Sequence, residues 1–258
     1  LPHGVPELSA VVFCGGAGLS LASAVLLPGE RTRARALVEA GVGRGGLQAA
    51  FCATAYGGVA SGHRVLGRLG LTGIPILDIE AGCASGGAAL QLAGAAIRNG
   101  QYDRVLVFGL EKMPKGLIRS SFFEPWQEEA GFSPAPAYFA LRAQRLLRES
   151  GLTEEDLGLV VVKNRGHGAH NPDAMFQKPV LLEEVLASKV VSAPLRLWML
   201  CSPNEGAAAV VLERSDARPG RVELLAASLR SHLPGSVLDE STPMAGIDDS
   251  EIVPPSAL

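Results

Sequence analysis

Cys83 carries the strongest chemical signal in the chain, in the run Ile74-Pro75-Ile76-Leu77-Asp78-Ile79-Glu80-Ala81-Gly82-Cys83-Ala84-Ser85-Gly86-Gly87-Ala88-Ala89-Leu90. An apolar strand leads into a small-residue turn, and a long Ala/Gly helix follows directly. Unpaired N–H groups and the helix dipole favour negative charge at such a point, so a thiolate there is stabilised and available as a nucleophile. Gly86 and Gly87 each cost that helix roughly 1 kcal/mol in propensity, which calls for a packing or ligand-approach reason. A buried free cysteine is the ordinary alternative, and it is the reading for Cys14, Cys52 and Cys201. For Cys83 the strand–turn–helix context favours the nucleophile.

Other residues offer weaker chemistry. His167 and His170 stand three apart in a Gly-rich stretch read as a loop, with a metal or phosphate role set against hydrogen bonds that order the loop. No Cys, Asp or Glu accompanies them at ligand spacing, so no metal site is assigned. Asn204-Glu205-Gly206 precedes a small-residue run that enters a strand. Gly41-Val42-Gly43-Arg44-Gly45-Gly46 matches GxGxxG but runs from helix to strand, the reverse of a dinucleotide-binding turn. Gly15-Gly16-Ala17-Gly18 follows a strand and precedes a helix; with no lysine or fitting acid downstream it reads as a tight turn rather than a phosphate cradle.

The elements that must position these residues alternate. Apolar runs at Ala10–Phe13, Leu47–Ala53, Pro75–Ile79, Arg104–Gly109, Gly158–Val162 and Ala207–Glu213 predict buried strands. Helical patterns fall at Glu30–Ala40, Ala60–Leu69, Ser85–Arg98, Ala137–Gly151 and Leu181–Ala187, and Thr153-Glu154-Glu155-Asp156 looks like a capped helix start. The order predicts an α/β fold, with helices layered around a mostly parallel mixed sheet. Ser120–Pro136, rich in Phe, Pro, Glu and Trp, reads as a loop over a surface or site, and the tail after Leu233 as irregular.

Composition narrows the class. With 47% hydrophobic and 19% charged residues in 258, the chain is neither disordered nor coiled coil. A net charge of -3 gives no nucleic-acid footprint. Four scattered cysteines without CxxC argue against a disulfide scaffold or zinc ribbon and for a reducing, cytoplasmic setting. The uncharged stretch Leu8–Gly29 approaches a membrane span in length but is broken by glycines and Pro28, so no span is assigned.

The Cys83 block resembles the nucleophile motif of the thiolase superfamily. Gly100–Met113, with its Glu111-Lys112-Met113 turn, is similar to the strand that follows it there. Leu71–Ile76, Lys163–Pro172, Met175-Phe176-Gln177, Val185–Lys189 and Cys201–Ala209 extend the likeness toward the sterol-carrier-protein-type thiolases, also called lipid-transfer proteins. The resemblance runs from about residue 36 to about residue 247.

The resemblance implies an acyl-CoA enzyme of lipid or sterol side-chain degradation. Cys83 would accept an acyl group from a 3-ketoacyl-CoA, release an acyl-CoA enolate and pass the acyl group to coenzyme A. Coenzyme A thioesters are substrates, with no covalently bound cofactor, and the enzyme would be a homodimer. His167, His170, Asn204 and Glu205 would line the substrate site; relatives often carry aspartate at the Glu205 position. Glu80, where close relatives carry an uncharged polar residue, would either oppose a thiolate or pair across a dimer. The resemblance places residues 1–215 in an N-terminal thiolase-like half, with a short cap-like loop at about 117–138. Residues 216–258 would open an incomplete second half, with the remainder truncated or not present; the absence of Met before Leu1 favours a fragment or a purification product. The family's activating histidine, Gly-His-Pro and Cys-x-Gly motifs lie in that second half, and none of His3, His63, His167, His170 and His232 is followed by proline. Two other functions fit the same fold: a retro-aldol lyase on a 3-hydroxyacyl-CoA of steroid side-chain degradation, working with an OB-fold partner, and a non-catalytic binding subunit.

Overall fold

The computed structural model describes residues 46–113, 124–132, 134–171, 174–202, 205–214, 224 and 226–229. The elements read at Ala10–Phe13 and Glu30–Ala40, the Gly15–Gly18 turn, Cys14, Asn204 and the tail lie outside the described residues, as does most of the 216–258 segment. The described residues fall into two compact units, one of 46–113 with 205–229 and one of 124–202.

The first unit is built on a four-stranded sheet of β1 (Ala49–Ala53), β2 (Ile76–Ile79), β3 (Arg104–Lys112) and β6 (Glu205–Glu213), in the order β2-β1-β3-β6. β1 pairs in parallel with both β2 and β3, and β6 closes the far edge antiparallel to β3. The mostly parallel mixed sheet expected from the sequence is therefore present. Every residue of β1 is buried because both faces of the central strand are covered. On one face Ala50, Cys52, Leu106, Phe108 and Ala209 pack with Leu66 and Leu69 of α1 (Ser61–Leu69). On the other, Ala49, Phe51, Ala53, Val105 and Val107 pack with Ala89, Ala93, Ala96 and Ile97 of α2 (Ser85–Arg98). Alanines along α2 let its axis approach the sheet closely, which accounts for the aromatic-poor composition of this layer.

Bonds at the two ends of the sheet tighten this unit. Gly62 on α1 donates its N–H to Asp78 Oδ1 at 2.6 Å, and a Cβ there would meet Asp78, Cys52 and Ile76 all at 2.9 Å. At the opposite end of the sheet, Arg104 binds Glu213 Oε2 through both Nε (3.0 Å) and Nη2 (2.7 Å), and Arg214 Nε reaches Asp103 Oδ1 at 3.0 Å. These pairs fasten the end of β6 to the start of β3.

The second unit contains α3 (Pro125–Glu129), α4 (Ala135–Ser150), α5 (Glu154–Gly168), α6 (Leu182–Ala187) and the small hairpin β4 (Val190–Ser192) with β5 (Leu195–Arg196). Its core joins Ala140, Ala143, Leu157 and Leu195. Two sequence readings are corrected here. Gly158–Val162 is not a strand but part of α5, because the reciprocal cap at Thr153 and Asp156 starts a helix five residues earlier. The Thr153 N–H and Oγ1 both donate to Asp156 Oδ2, at 2.8 and 3.0 Å, and three acidic residues in the first turn suit the helix dipole. Leu159 and Val160 are consequently exposed rather than buried. Ser120–Pro136 is not wholly irregular either: α3 forms within it, entered through a Glu124 N–H bond to Gln127 Oε1 at 2.9 Å, and α4 has begun by Ala135.

Candidate active site

Cys83 lies in the turn between β2 and α2, at the carboxyl end of the parallel strands, and is exposed. Local bonds fix the turn. Gly82 takes a left-handed φ of 56°, which a residue with a side chain rarely holds. Ser85, 5% exposed, accepts the Ala81 N–H at 2.9 Å and donates to the Gly82 carbonyl at 2.6 Å. The Ala84 and Ser85 amides close the turn onto the carbonyls of Ala81 (3.1 Å) and Gly82 (3.2 Å). No side chain caps α2 at Ala84, so the helix start presents main-chain amides and the dipole's positive end beside Cys83. Glu80 Oε1 accepts the Gly82 N–H at 2.6 Å, setting a carboxylate within the same turn. A Cβ added to Gly86 would meet nothing within 4 Å, so that glycine is not demanded by packing against the described residues.

At the carboxyl end of β1, one strand over, a second structured turn spans residues 54–60. Thr54 Oγ1 accepts the Gly57 N–H (2.9 Å), Ser61 Oγ donates to the Gly58 carbonyl (2.8 Å), and Arg64 reaches the Gly57 carbonyl and Ser61 Oγ. The Thr54 N–H donates to the Ile79 carbonyl at 3.2 Å, tying this turn to the strand that leads to Cys83. From β3, Glu111 closes over it. Its Oε2 accepts the amides of Ala55 (2.7 Å) and Tyr56 (3.1 Å), while Oε1 accepts those of Tyr56 (3.2 Å) and Lys112 (3.0 Å). Beyond it, Lys112 Nζ stands 3.5 Å from Glu205 Oε2, both exposed, as the β3–β6 register requires.

Residues 29–193 match the family model described as "Thiolase, N-terminal domain". The chain belongs to the thiolase family. Among curated relatives of this thiolase-family chain, benzoylsuccinyl-CoA thiolase subunit BbsB of Thauera aromatica is 35% identical over 64% of the chain and 44% of its own length. Sterol carrier protein 2 of Bos taurus is 32% identical over 84% of the chain and 44% of its own length. Acetyl-CoA acetyltransferase of Methanothermobacter thermautotrophicus is 40% identical over 57% of the chain and 39% of its own length. The chain thus spans less than half the length of these relatives. The solved structure titled "Ltp2-ChsH2(DUF35) aldolase" superposes with a TM-score of 0.57 over 78% of this chain and 51% of that one, at 24% identity, which shows a shared thiolase-like fold.

Within this thiolase-family fold the sequence-assigned site residues separate. Cys83 and Glu205 belong to the first unit, at the same end of its sheet; Glu205 is itself the first residue of β6. Asn204 lies outside the described residues. His167 and His170 belong to the second unit; His167 is in the last turn of α5 and not in a loop, whereas His170 lies in the turn just past that helix, its N–H bonded back to the His167 carbonyl at 3.1 Å. Nearby, the Arg165 guanidinium lies over the Phe176 ring, 3.4 Å from its centroid. Among the described residues no group of three His, Cys, Asp or Glu side chains could hold a metal ion, and no helix is long and apolar enough to cross a membrane.

The remaining cysteines divide. Cys52 is fully buried in the sheet, as read from the sequence. Burial pushes its thiol far above the ordinary range, and the neighbouring Asp78 carboxylate adds to that through its charge and a hydrogen bond. Cys201 is exposed, not buried, because it lies past the 3-10 turn Leu197–Met199 rather than inside a core strand. Glu111 has no role legible in the sequence: the Glu111-Lys112-Met113 segment marks a family likeness and the end of an apolar strand, and gives no hint of amides 55 and 56 residues earlier.

Proposed function

We propose that this chain is the cysteine-bearing part of an acyl-CoA-processing acyltransferase, with Cys83 as the acyl acceptor. The Cys83 thiolate adds to the 3-keto carbonyl of a 3-ketoacyl-CoA. The bond between C2 and C3 breaks, its electron pair leaves as the acetyl-CoA enolate, and protonation gives acetyl-CoA. The acyl group, held as a thioester on Cys83, then passes to the thiol of coenzyme A. The observation that carries this reading is the placement of an exposed cysteine in a hydrogen-bonded glycine turn at an uncapped helix start. Coenzyme A thioesters named in two of the similar proteins support the substrate class, and the sterol carrier protein 2 likeness supports a lipid or sterol acyl chain. From the family resemblance we assign substrate-contact roles to Asn204 and Glu205 in the first unit and, separately, to His167 and His170 in the second, and the working form to a homodimer in the cytoplasm.

Glu80 favours a second reading. Its carboxylate, fixed to the Gly82 amide, puts a negative charge in the turn that carries Cys83. A retro-aldol lyase on a 3-hydroxyacyl-CoA, working with an OB-fold partner, needs no thiolate at Cys83.

One experiment separates the readings. The protein is incubated with acetoacetyl-CoA and peptide-mapped by mass spectrometry, beside Cys83→Ala. An acetyl group on Cys83, absent in the variant, supports acyl transfer. No adduct, with aldehyde or ketone released from a 3-hydroxyacyl-CoA, supports the lyase, and neither activity leaves a binding role.

A further inference from the structure

We propose that Glu111 is a positioning residue, whose carboxylate clamps the main-chain amides of Ala55 and Tyr56 so that the 54–60 turn forms a fixed wall beside the Cys83 turn. This rests on the acyl-transfer reading of Cys83. Both oxygens of Glu111 are engaged, each by two of the four bonds from Ala55, Tyr56 and Lys112. Two of the three donor residues lie more than fifty positions earlier in the chain, so the carboxylate is a tether across β1 and β3 and not a local turn device.

The held segment is not one that would keep this shape alone. Gly58 (φ 78°) and Ala60 (φ 58°) are both left-handed, and Ala60 carries a Cβ that disfavours the conformation. Such backbone persists where its surroundings over-determine it, and does so characteristically beside functional sites. Here Thr54, Ser61, Arg64 and Glu111 supply the constraint.

Position gives the clamp its reach. β1 lies between β2 and β3, so the 54–60 turn stands between Glu111 and the turn bearing Cys83. The strand order also makes β1 and β3 the point where the crossovers change faces, with α1 on one side of the sheet and α2 on the other. Open parallel sheets form their crevice at that point, outside the carboxyl ends of the strands. Removing the Glu111 carboxylate leaves three amides converging on one vacated position, a geometry suited to a small carboxylate.

The test uses the full chain as wild type, Glu111→Ala and Glu111→Gln, each with and without sodium formate. Three rates are read: hydrogen exchange of the Ala55 and Tyr56 amides, acetyl transfer from acetoacetyl-CoA to Cys83, and alkylation of Cys83 by iodoacetamide. In Glu111→Ala, exchange should quicken and acetyl transfer slow, each by about tenfold or more, while alkylation stays within about twofold. Formate should restore both in that variant and change neither in wild type. Glu111→Gln should show the same losses without rescue, because its amide turns a donor toward donors; it carries the test if Glu111→Ala fails to fold. Unchanged exchange, undiminished acetyl transfer, or alkylation falling in step with acetyl transfer overturns the proposal. If wild type takes no acetyl group, the acyl-transfer reading fails separately. Exchange then decides the clamp: formate-restored protection upholds it, and protection unaltered by the substitutions overturns it.

Discussion

Two glycines on one helix should respond to the same substitution with opposite sign. At Gly62, a Cβ would sit 2.9 Å from Asp78 Oδ1, Cys52 Cβ and Ile76 Cγ2, whereas packed atoms settle at about 3.5–4.0 Å. Relief requires α1 to lift from the sheet by roughly 0.6–1 Å across that contact. The cost of such overpacking is about 1–3 kcal/mol. Lifting also stretches the 2.6 Å bond from the Gly62 N–H to Asp78, worth about 1.5 kcal/mol or more because its acceptor is charged. Against this, alanine in a helix gains about 0.5–1 kcal/mol over glycine. Gly62→Ala should therefore destabilise by about 1.5–4 kcal/mol. Gly67, five residues on, has nothing within 4 Å of its would-be Cβ, so Gly67→Ala should stabilise by about 0.5–1 kcal/mol. Urea unfolding followed by far-UV circular dichroism measures both through the shift in midpoint at constant slope. A Gly62→Ala midpoint equal to or above wild type would refute the close-approach argument.

Three further outcomes can be checked. The unfolded Cys52 thiol loses its proton above about pH 8.5, whereas the folded one, buried beside Asp78, keeps it. Stability is full below that pH and should fall above it by about 1.4 kcal/mol per unit relative to Cys52→Ala, as read from urea midpoints between pH 8 and 10; parallel pH profiles would contradict this. Ser85→Ala strands the Ala81 amide and leaves the Gly82 carbonyl only the Ser85 N–H, so it should cost about 1–3 kcal/mol and slow acetylation of Cys83, by thermal melting and mass spectrometry respectively. In native protein, a chromogenic disulfide should label Cys83 and Cys201 and spare Cys52 until denaturant is added; early labelling of Cys52 would show that the sheet opens.

The parts of this fold legible in the sequence are those whose causes lie within a few residues. The β1 strand announces itself because both its faces are covered, leaving an unbroken apolar run from Ala49 to Ala53. Helix α2 runs from Ser85 to Arg98 as its small-residue pattern and the Asn99-Gly100 stop suggest. The same logic misleads at Gly158–Val162. A β-branched run reads as a strand, yet the cap at Thr153–Asp156 has already committed the chain to a helix, and the run is carried along with it. That error displaced the surroundings of His167, which closes a helix instead of lying in a loop.

The site divides along the same line. Cys83 stood out because strand, glycine turn and helix follow one another in sequence, and the bonds of Ser85 that hold the turn are equally local. Glu111 could not stand out in the same way. Its meaning depends on the register that sets Ala53 beside Gly109, so that a carboxylate two residues past that pair meets amides two and three residues past its partner. No spacing within one segment encodes such a contact; it arises only when β3 is laid down on the far side of β1 from β2. The nucleophile position is thus written in a local motif, while the wall beside it is a product of strand order. Substitutions within the motif and substitutions at the clamp should for that reason separate in their effects, the first altering the cysteine itself and the second the surroundings in which it meets an acyl group.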